Sequence, residues 1–306
     1  MGEWTVDDLP DQSGRTVLVT GANSGLGVRT AEALAAKGAH VLLACRNEAR
    51  AAAARDLVAA AATGPEPTVV PLDLADLSSV RRAAAEVDGT VDRLDVLVNN
   101  AGVMAIPQAR TADGFEMQFG TNHLGHFALT GLLLPALRRA AAPRVVTTSS
   151  NGHKLGRVDF DDLHAERKRY AKWRAYTQSK LANLLFALEL DRRARAAGWD
   201  LVSVAAHPGY ASTHLTDNSG GRVWRLAVAL GDRVLSQSDA AGALPQLYAA
   251  TMPDVLGGQY YGPDGFLELR GAPTLARPTR AARDETTARR LWVCSEEATK
   301  VTYDFA

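Results

Sequence analysis

The sequence has few cysteines, few lysines and no net charge, and each of these features excludes some classes of protein. Only Cys45 and Cys294 occur among 306 residues, so no disulfide framework is predicted and a reducing compartment is expected. The 34 basic and 34 acidic residues cancel, which leaves no global field for nucleic acid or an anionic membrane. No metal site is predicted. Only six of the cationic residues are lysines, so each lysine merits inspection.

Long hydrophobic runs are also missing. No stretch of about 18 or more apolar residues occurs, and the acidic start MGEWTVDDLPDQ lacks the basic region and apolar centre of a signal peptide. We therefore expect a soluble, cytoplasmic protein without a membrane anchor. The content of 46% hydrophobic and 22% charged residues is that of an ordinary globular chain, long enough for one large core.

Apolar runs alternate with helical patterns along most of the chain. Strands are predicted at residues 15–20, 40–45, 68–73, 94–99, 144–149 and 201–206. Helices are predicted at residues 25–37, 47–62, 77–87, 111–140 and around 176–180. Strands and helices in this order indicate a parallel sheet covered on both faces, with right-handed crossovers. The predicted fold is therefore α/β, a doubly wound, Rossmann-type parallel sheet.

Two segments interrupt this alternation. Residues 151–173 form a polar insertion, and residues 212–237 contain a GG pair followed by the amphipathic run VWRLAVALGDRVL. Both follow strands, on the side where ligands bind in such sheets. We predict a single domain, residues 1–306, in which residues 212–237 form a small substrate lid.

The first predicted strand runs into the glycine-rich turn TGANSGLG, with glycines at positions 21, 25 and 27. Gly21 permits a tight turn, Gly25 lets backbone N–H groups approach a pyrophosphate, and Gly27 allows close packing of helix on strand. A glycine-rich turn without a ligand is the alternative. Its position between a strand and a helix favours dinucleotide binding.

The end of the second strand bears on which dinucleotide is bound. An NAD site usually has an acidic residue there, which repels an extra phosphate. This strand ends Ala44-Cys45-Arg46, and a guanidinium group matches a phosphate. We predict NADP(H), with Asn23 and Arg46 near the 2′-phosphate, although Arg46 as a solvated surface charge is the alternative. The pair Asp73-Leu74 and the motif NNAG at 99–102 are either further cofactor contacts or ordinary turns.

The segment YTQSK places Tyr176 four residues before Lys180 on a predicted helix, so that their side chains are neighbours. A phenol has a pKa of about 10. An ammonium group roughly 4.5 Å away favours the phenolate by about 3 to 4 kcal/mol before desolvation is subtracted, which lowers the pKa by up to about 2 to 3 units. Tyr170 also has a cation four residues later, Arg174, but lies in the polar insertion.

These motifs together resemble the short-chain dehydrogenase/reductase family over nearly the whole chain. The resemblance depends on TGANSGLG, NNAG, Asn122, the serine of TTSSN, and Tyr176 with Lys180. It implies Tyr176 as the general acid/base, Lys180 as its electrostatic partner and a ribose contact, and Asn122 as support for a water-mediated proton path. Side chains alternate along a strand, so only one serine should face the site. The family pattern favours Ser150 over Ser149.

The resemblance also extends the predicted cofactor contacts to the turn after the sixth strand, where His207 is interpreted as structural. The predicted contacts are Gly21, Asn23, Ser24, Gly25, Leu26, Gly27, Arg46, Asp73, Leu74, Asn100, Ala101, Gly102, Tyr176, Lys180, Pro208, Gly209 and Thr213.

Within the family, three features are similar to the retinol dehydrogenase and protochlorophyllide reductase branch. They are the ACRN strand end, the spacer of 25 residues between Ser150 and Tyr176, and the YTQSKLANLLF helix. The implied reaction is hydride transfer between NADP(H) and the carbonyl or alcohol group of a fairly apolar small molecule. Reduction of an activated C=C bond, or a cofactor sensor without turnover, are the alternatives. The resemblance further implies a homo-oligomer, a dimer or tetramer.

Overall fold

The fold is described from a computed structural model, which covers residues 4–210 and 237–305. In these ranges the strands form one sheet in the order β3-β2-β1-β4-β5-β6-β7-β8. All neighbouring pairs are parallel except β7 with β8. The strands are β1 (Thr16–Thr20), β2 (His40–Cys45), β3 (Thr68–Pro71), β4 (Val96–Asn99), β5 (Arg144–Thr148), β6 (Val202–Ala206), β7 (Tyr260–Pro263) and β8 (Pro273–Leu275). The predicted doubly wound α/β fold is confirmed.

Helices cover both faces of the sheet. The helices are α1 (Gly25–Ala36), α2 (Glu48–Ala61), α3 (Leu77–Thr90), α4 (Met117–Phe119), α5 (Gly125–Leu132), α6 (Leu134–Arg138), α7 (Lys172–Ala196), α8 (Asp239–Thr251) and α9 (Glu285–Thr299). The first face carries α1, α2 and α8, and the second carries α3, α5, α7 and α9. Within residues 4–210 and 237–305, no helix combines the length and apolarity needed to cross a bilayer.

The core lies on both sides of the central strands. On β1, Val17 and Val19 pack with α1 and α8, whereas Leu18 packs on the opposite face with α3 and α5. All three side chains are at most 1% exposed. Because successive side chains of a strand point to opposite faces, a strand buried on both sides must be continuously apolar. This explains why the first strand is an unbroken apolar run.

Local signals set several helix boundaries. The side chain of Asn47 accepts a hydrogen bond from the Arg50 amide (2.9 Å) and caps α2, and Asp76 caps α3 through the Ser78 amide (2.8 Å). Such caps satisfy backbone donors that lack a partner inside the helix. After α1, Gly38 takes a φ of +93°, a conformation that ends a helix at little cost for glycine.

The bounds of one predicted helix are wrong, and the sheet has an edge strand that was not predicted. The helix predicted at 111–140 begins only at Met117 and is interrupted by a π-helical turn, Gly120–Leu124. The sheet is not wholly parallel, since β8 runs antiparallel to β7 at its edge. The predicted lid at 212–237 lies outside the described residues except for Gln237, and so does Thr213.

Candidate active site and cofactor cleft

A cleft of about 600 Å³ opens at the carboxyl ends of β1 to β4. Twelve of the predicted cofactor contacts line it: Gly21, Asn23, Ser24, Gly25, Leu26, Gly27, Arg46, Asp73, Leu74, Asn100, Ala101 and Gly102. Pro208 and Gly209 follow β6 and are not among its lining residues. The cleft runs from the end of β2 to the loop after β4, which suits an extended dinucleotide.

The glycine-rich turn lets α1 approach β1 closely. Gly21 and Gly25 have φ values of +67° and +54°, in the left-handed region that favours glycine. A Cβ atom on Gly27 would lie 2.3 Å from the main-chain oxygen of Gly21, so a larger residue would push the helix away. As a result, the N-terminus of α1 faces the cleft, where its amide groups and helix dipole favour an anion.

Thr20 ties this turn to the NNAG loop. Its hydroxyl accepts hydrogen bonds from the amides of Asn100 (2.9 Å) and Ala101 (3.0 Å). The Asn100 side chain in turn donates to the Thr20 carbonyl (2.8 Å). The two loops that form opposite walls of the cleft are therefore held in a fixed relation before any ligand binds.

The cleft ends in a basic region at the start of α2. Arg46 follows β2, is 71% exposed, and has its guanidinium 3.8 Å from the Asp73 carboxylate. Arg50 lines the same end of the cleft, in the first turn of α2, together with the capping residue Asn47. Arg50 was not predicted as a contact. Its position in the first turn of the helix that follows β2 and Arg46 is the sequence signal that identifies it.

Tyr176 and Lys180 both lie on α7, one turn apart. The Lys180 side chain is only 5% exposed, and its ammonium donates to the Thr148 carbonyl (3.2 Å) and lies 5.9 Å from the centre of the Tyr176 ring. Tyr176 is partly buried, and its ring lies beside the Ser150 hydroxyl, since a Cβ atom on Gly152 would be 3.3 Å from the ring and 3.5 Å from that hydroxyl. The structure thus brings three of the predicted catalytic side chains together.

The electrostatics differ from the prediction. Burial raises the pKa of Tyr176, and the polar interaction with the Ser150 side chain offsets the rise only in part. Burial also lowers the pKa of Lys180 to about 8. The prediction that the ammonium lowers the pKa of Tyr176 below its usual range is therefore wrong for the protein by itself. Loss of hydration on burial outweighs the attraction of the ammonium.

The two serines after β5 have separate environments. The Ser149 hydroxyl is buried and donates to the main-chain carbonyl of Lys180 (2.7 Å). The Ser150 hydroxyl accepts from the Gly152 amide (3.1 Å) and faces Tyr176. Because Ser149 is committed to the backbone of α7, Ser150 is the serine available for a substrate.

Asn122 holds the loop after β4 in place from within the π-helical turn. Its amide exchanges two hydrogen bonds with the backbone of Val103 (2.8 and 2.9 Å) and donates a third to Ser179 (2.9 Å). Both amide hydrogens are therefore used within the protein. A Cβ atom on Gly102 would lie 3.2 Å from the Asn122 side chain and 3.4 Å from the Lys180 ammonium, so the cleft and the catalytic group meet at this glycine.

Tyr170, the alternative tyrosine, has a different role. Its hydroxyl accepts from the Gln118 side chain (2.8 Å) and lies 3.2 Å from the Glu116 carboxylate. Burial, and then the Glu116 charge, raise the pKa of Tyr170 to about 12. It therefore anchors the polar insertion to the loop before α4.

Comparisons with known proteins identify the family of this chain. The family model described as short chain dehydrogenase matches residues 15–222. The chain is 42% identical to human Retinol dehydrogenase 13 over 286 residues, which cover 91% of this chain and 82% of the relative. It is 41% identical to mouse Polyprenol dehydrogenase, covering 95% and 85% of the two chains. An uncharacterized protein from Mycobacterium paratuberculosis has a solved structure with a TM-score of 0.82 and 45% identity, covering 99% of this chain and 100% of that one. This chain therefore belongs to the short-chain dehydrogenase/reductase family of nicotinamide-dependent oxidoreductases, in its retinol dehydrogenase-like branch.

Proposed function

We propose that the protein is an NADP(H)-dependent oxidoreductase that interconverts a carbonyl compound and its alcohol, with Tyr176 as the acid/base. One observation carries the proposal. The Tyr176 ring and the Ser150 hydroxyl lie beside each other, 3.3 and 3.5 Å from the same point, a Cβ atom on Gly152. The buried Lys180 ammonium lies 5.9 Å from the centre of the same ring, beside the cofactor cleft. A phenol, a second hydroxyl and a cation together supply the donors that a developing alkoxide requires.

The basic end of the cleft supports a preference for NADP(H). Arg46 and Arg50 line it where the adenosine ribose of a dinucleotide would lie, and no acid ends β2. Asp73, which follows β3, has its carboxylate 3.8 Å from the Arg46 guanidinium. Because Arg46 is 71% exposed, its guanidinium can turn from that weak, solvated pair to a phosphate with paired donors.

In this mechanism the cofactor supplies or accepts the hydride. The Tyr176 hydroxyl donates its proton to the carbonyl oxygen during reduction, and Ser150 donates a second hydrogen bond to the same oxygen. Lys180 stabilises negative charge that develops on the phenol, and its ammonium would also donate to the nicotinamide ribose of a bound cofactor. Asn122 keeps the loop at Val103 against the site.

The surroundings of Tyr176 support a fairly apolar substrate. Trp173 packs edge-on against the Tyr176 ring (6.1 Å between centroids) and is 49% exposed. Leu155, at the end of the turn after Ser150, is 84% exposed. The relatives named for retinol and polyprenol act on long, apolar alcohols, and an apolar rim suits compounds of that kind.

The test is NADPH oxidation across ketones, aldehydes and enones, with product analysis. We expect an alcohol product from at least one apolar aldehyde or ketone. Tyr176→Phe should lower the turnover rate by about 100-fold or more, since a positioned acid contributes a factor of about 10² to 10⁴ to the rate. Its affinity for NADPH, measured by fluorescence titration, should be unchanged. Normal turnover by Tyr176→Phe would refute its role. A saturated product from an enone, with no alcohol from any carbonyl compound, would refute carbonyl reduction.

A further inference from the structure

A strained turn packs against the active site from the segment between β7 and β8. In the turn Phe266–Glu268, Leu267 and Glu268 have φ values of +53° and +56°. Non-glycine residues seldom adopt this region, and two in succession persist only where the surroundings hold them. Asn151 provides such a hold, because its side-chain amide donates to the carbonyls of Leu267 (3.3 Å) and Glu268 (3.1 Å).

The conformation directs the Glu268 carboxylate between two segments of the site. One oxygen, Oε2, accepts from the Lys154 ammonium (2.9 Å) and lies 3.3 Å from Nε2 of His207. Lys154 belongs to the turn Asn151–Leu155, which directly follows Ser150. The contact with His207, followed by that with Lys154, lowers the pKa of Glu268 to about 2. The carboxylate is thus ionised at neutral pH and joins the two segments.

His207 transmits this contact to the turn after β6. Its ring is buried, and the Gly209 amide donates to its Nδ1 (3.2 Å). Because Nδ1 accepts, Nε2 carries the hydrogen of the neutral ring and faces Glu268. Among residues 4–210 and 237–305, Nε2 has no hydrogen-bond partner, so its approach to Glu268 at 3.3 Å is an electrostatic contact. On β7, a Cβ atom at Gly262 would lie 1.9 Å from this nitrogen, so the strand leaves room for the ring.

On the basis of the proposed function, we propose that Glu268 is a positioning residue for hydride transfer. It holds the turn at residues 207–209, which contains the predicted cofactor contacts Pro208 and Gly209, against the turn that follows Ser150. The carboxylate acts through His207 and Lys154 and does not touch Tyr176 or Ser150. The geometry therefore fixes two sides of the reaction, the hydride carrier and the substrate oxygen, relative to each other.

The kinetic test uses Glu268→Ala and Glu268→Gln, with Glu285→Gln as a matched control that removes an exposed pair with Arg289 (3.1 Å). We expect Glu268→Ala to lower kcat by about 10-fold, with a KM for NADPH within about 2-fold, because a small misplacement slows the chemical step more than cofactor binding. The primary deuterium isotope effect with deuterated NADPH should rise. Glu268→Gln keeps an acceptor oxygen and should lose less. A loss of folded protein alone would lower the apparent kcat but would change neither the KM for NADPH nor the isotope effect.

Hydrogen exchange tests the positioning without any substrate. In Glu268→Ala, and more weakly in Lys154→Met, amides at residues 207–210 and 151–155 should exchange faster than in the wild type, while Glu285→Gln leaves them unchanged. The Lys154 variant keeps the proposal testable if Glu268→Ala fails to fold. Unchanged exchange would overturn the proposal, and so would faster exchange with wild-type kcat and isotope effect. If the wild type reduced no carbonyl compound, the proposed function would be refuted. The hydrogen-exchange comparison would still decide whether Glu268 holds the two turns together.

Discussion

Replacing Lys180 with methionine removes one buried positive charge and keeps an unbranched side chain of similar length. The ammonium lies 5.9 Å from the centre of the Tyr176 ring. If the ring centre stands for the position of the phenol's charge, two unit charges at that separation interact by ~3 kcal/mol at an effective dielectric constant of about 20, a factor of ~100 in rate. Only part of a unit charge develops on the phenol during proton transfer. We therefore expect Lys180→Met to lower kcat/KM for the carbonyl substrate by about 10- to 100-fold at saturating NADPH.

The pH profile connects that loss to the charge of Lys180. Burial lowers the pKa of Lys180 to about 8, so the ammonium is protonated below that pH and becomes neutral above it. The wild-type kcat/KM for reduction should accordingly fall as pH rises through about 8. Because methionine does not titrate, Lys180→Met should show a low, flat profile from about pH 7 to about pH 9. Initial rates of NADPH oxidation measure both profiles.

Lys172→Met is the matched control, because Lys172 starts the same helix and is half-buried outside the catalytic group. It should keep both the wild-type rate and the break near pH 8. If Lys180→Met retained the break, another group would be titrating. If it lost less than about 3-fold in kcat/KM, the Coulomb reasoning would be refuted, since ~3 kcal/mol predicts a far larger effect.

The remaining predictions concern the cofactor cleft. Arg46→Ala and Arg50→Ala should each raise the KM for NADPH by ~10-fold, the value of one charge-assisted hydrogen bond, and leave the KM for NADH unchanged. Equal losses with both cofactors would exclude a contact with the 2′-phosphate. Gly27→Ala should lower both the melting temperature and NADPH binding, since its Cβ would lie 2.3 Å from a main-chain oxygen. Gly89→Ala, on α3 with no atom within 4 Å of an added Cβ, should bind NADPH normally and melt no lower than the wild type.

Much of the cofactor cleft could be predicted from the sequence because the signals for it are local. The strand at 40–45 was predicted with the bounds it has, since an apolar run between a glycine and a helix cap specifies both ends. The glycine spacing of 20–27 likewise reflects contacts between residues a few positions apart. The twelve cleft residues follow from their places at the ends of consecutive parallel strands, which meet at one edge of the sheet.

The rest depended on contacts between distant parts of the chain. Glu268 meets Lys154 across 114 positions, and no periodicity or spacing brings them together. The antiparallel β8 depends on a chain reversal between Asp264 and Ala272, fixed by their backbone pairing (2.9 Å). The π-helical turn at Asn122 could not be read from apolar periodicity, because inserting one residue in a turn alters the pattern too little. The pKa of Tyr176 required the burial that only the packed structure supplies.

Burial acts against charge on both members of the catalytic pair, and this determines which protonation state the site holds. It raises the pKa of Tyr176 and lowers that of Lys180 to about 8. At neutral pH the phenol is therefore neutral and the amine charged. A neutral phenol can donate a proton to a carbonyl oxygen, and the adjacent ammonium stabilises the charge it leaves behind. Oxidation of an alcohol instead requires the phenolate, which becomes more populated as pH rises. The environment that opposes the predicted fall in the pKa of Tyr176 thus favours its role as an acid, the role that carbonyl reduction requires.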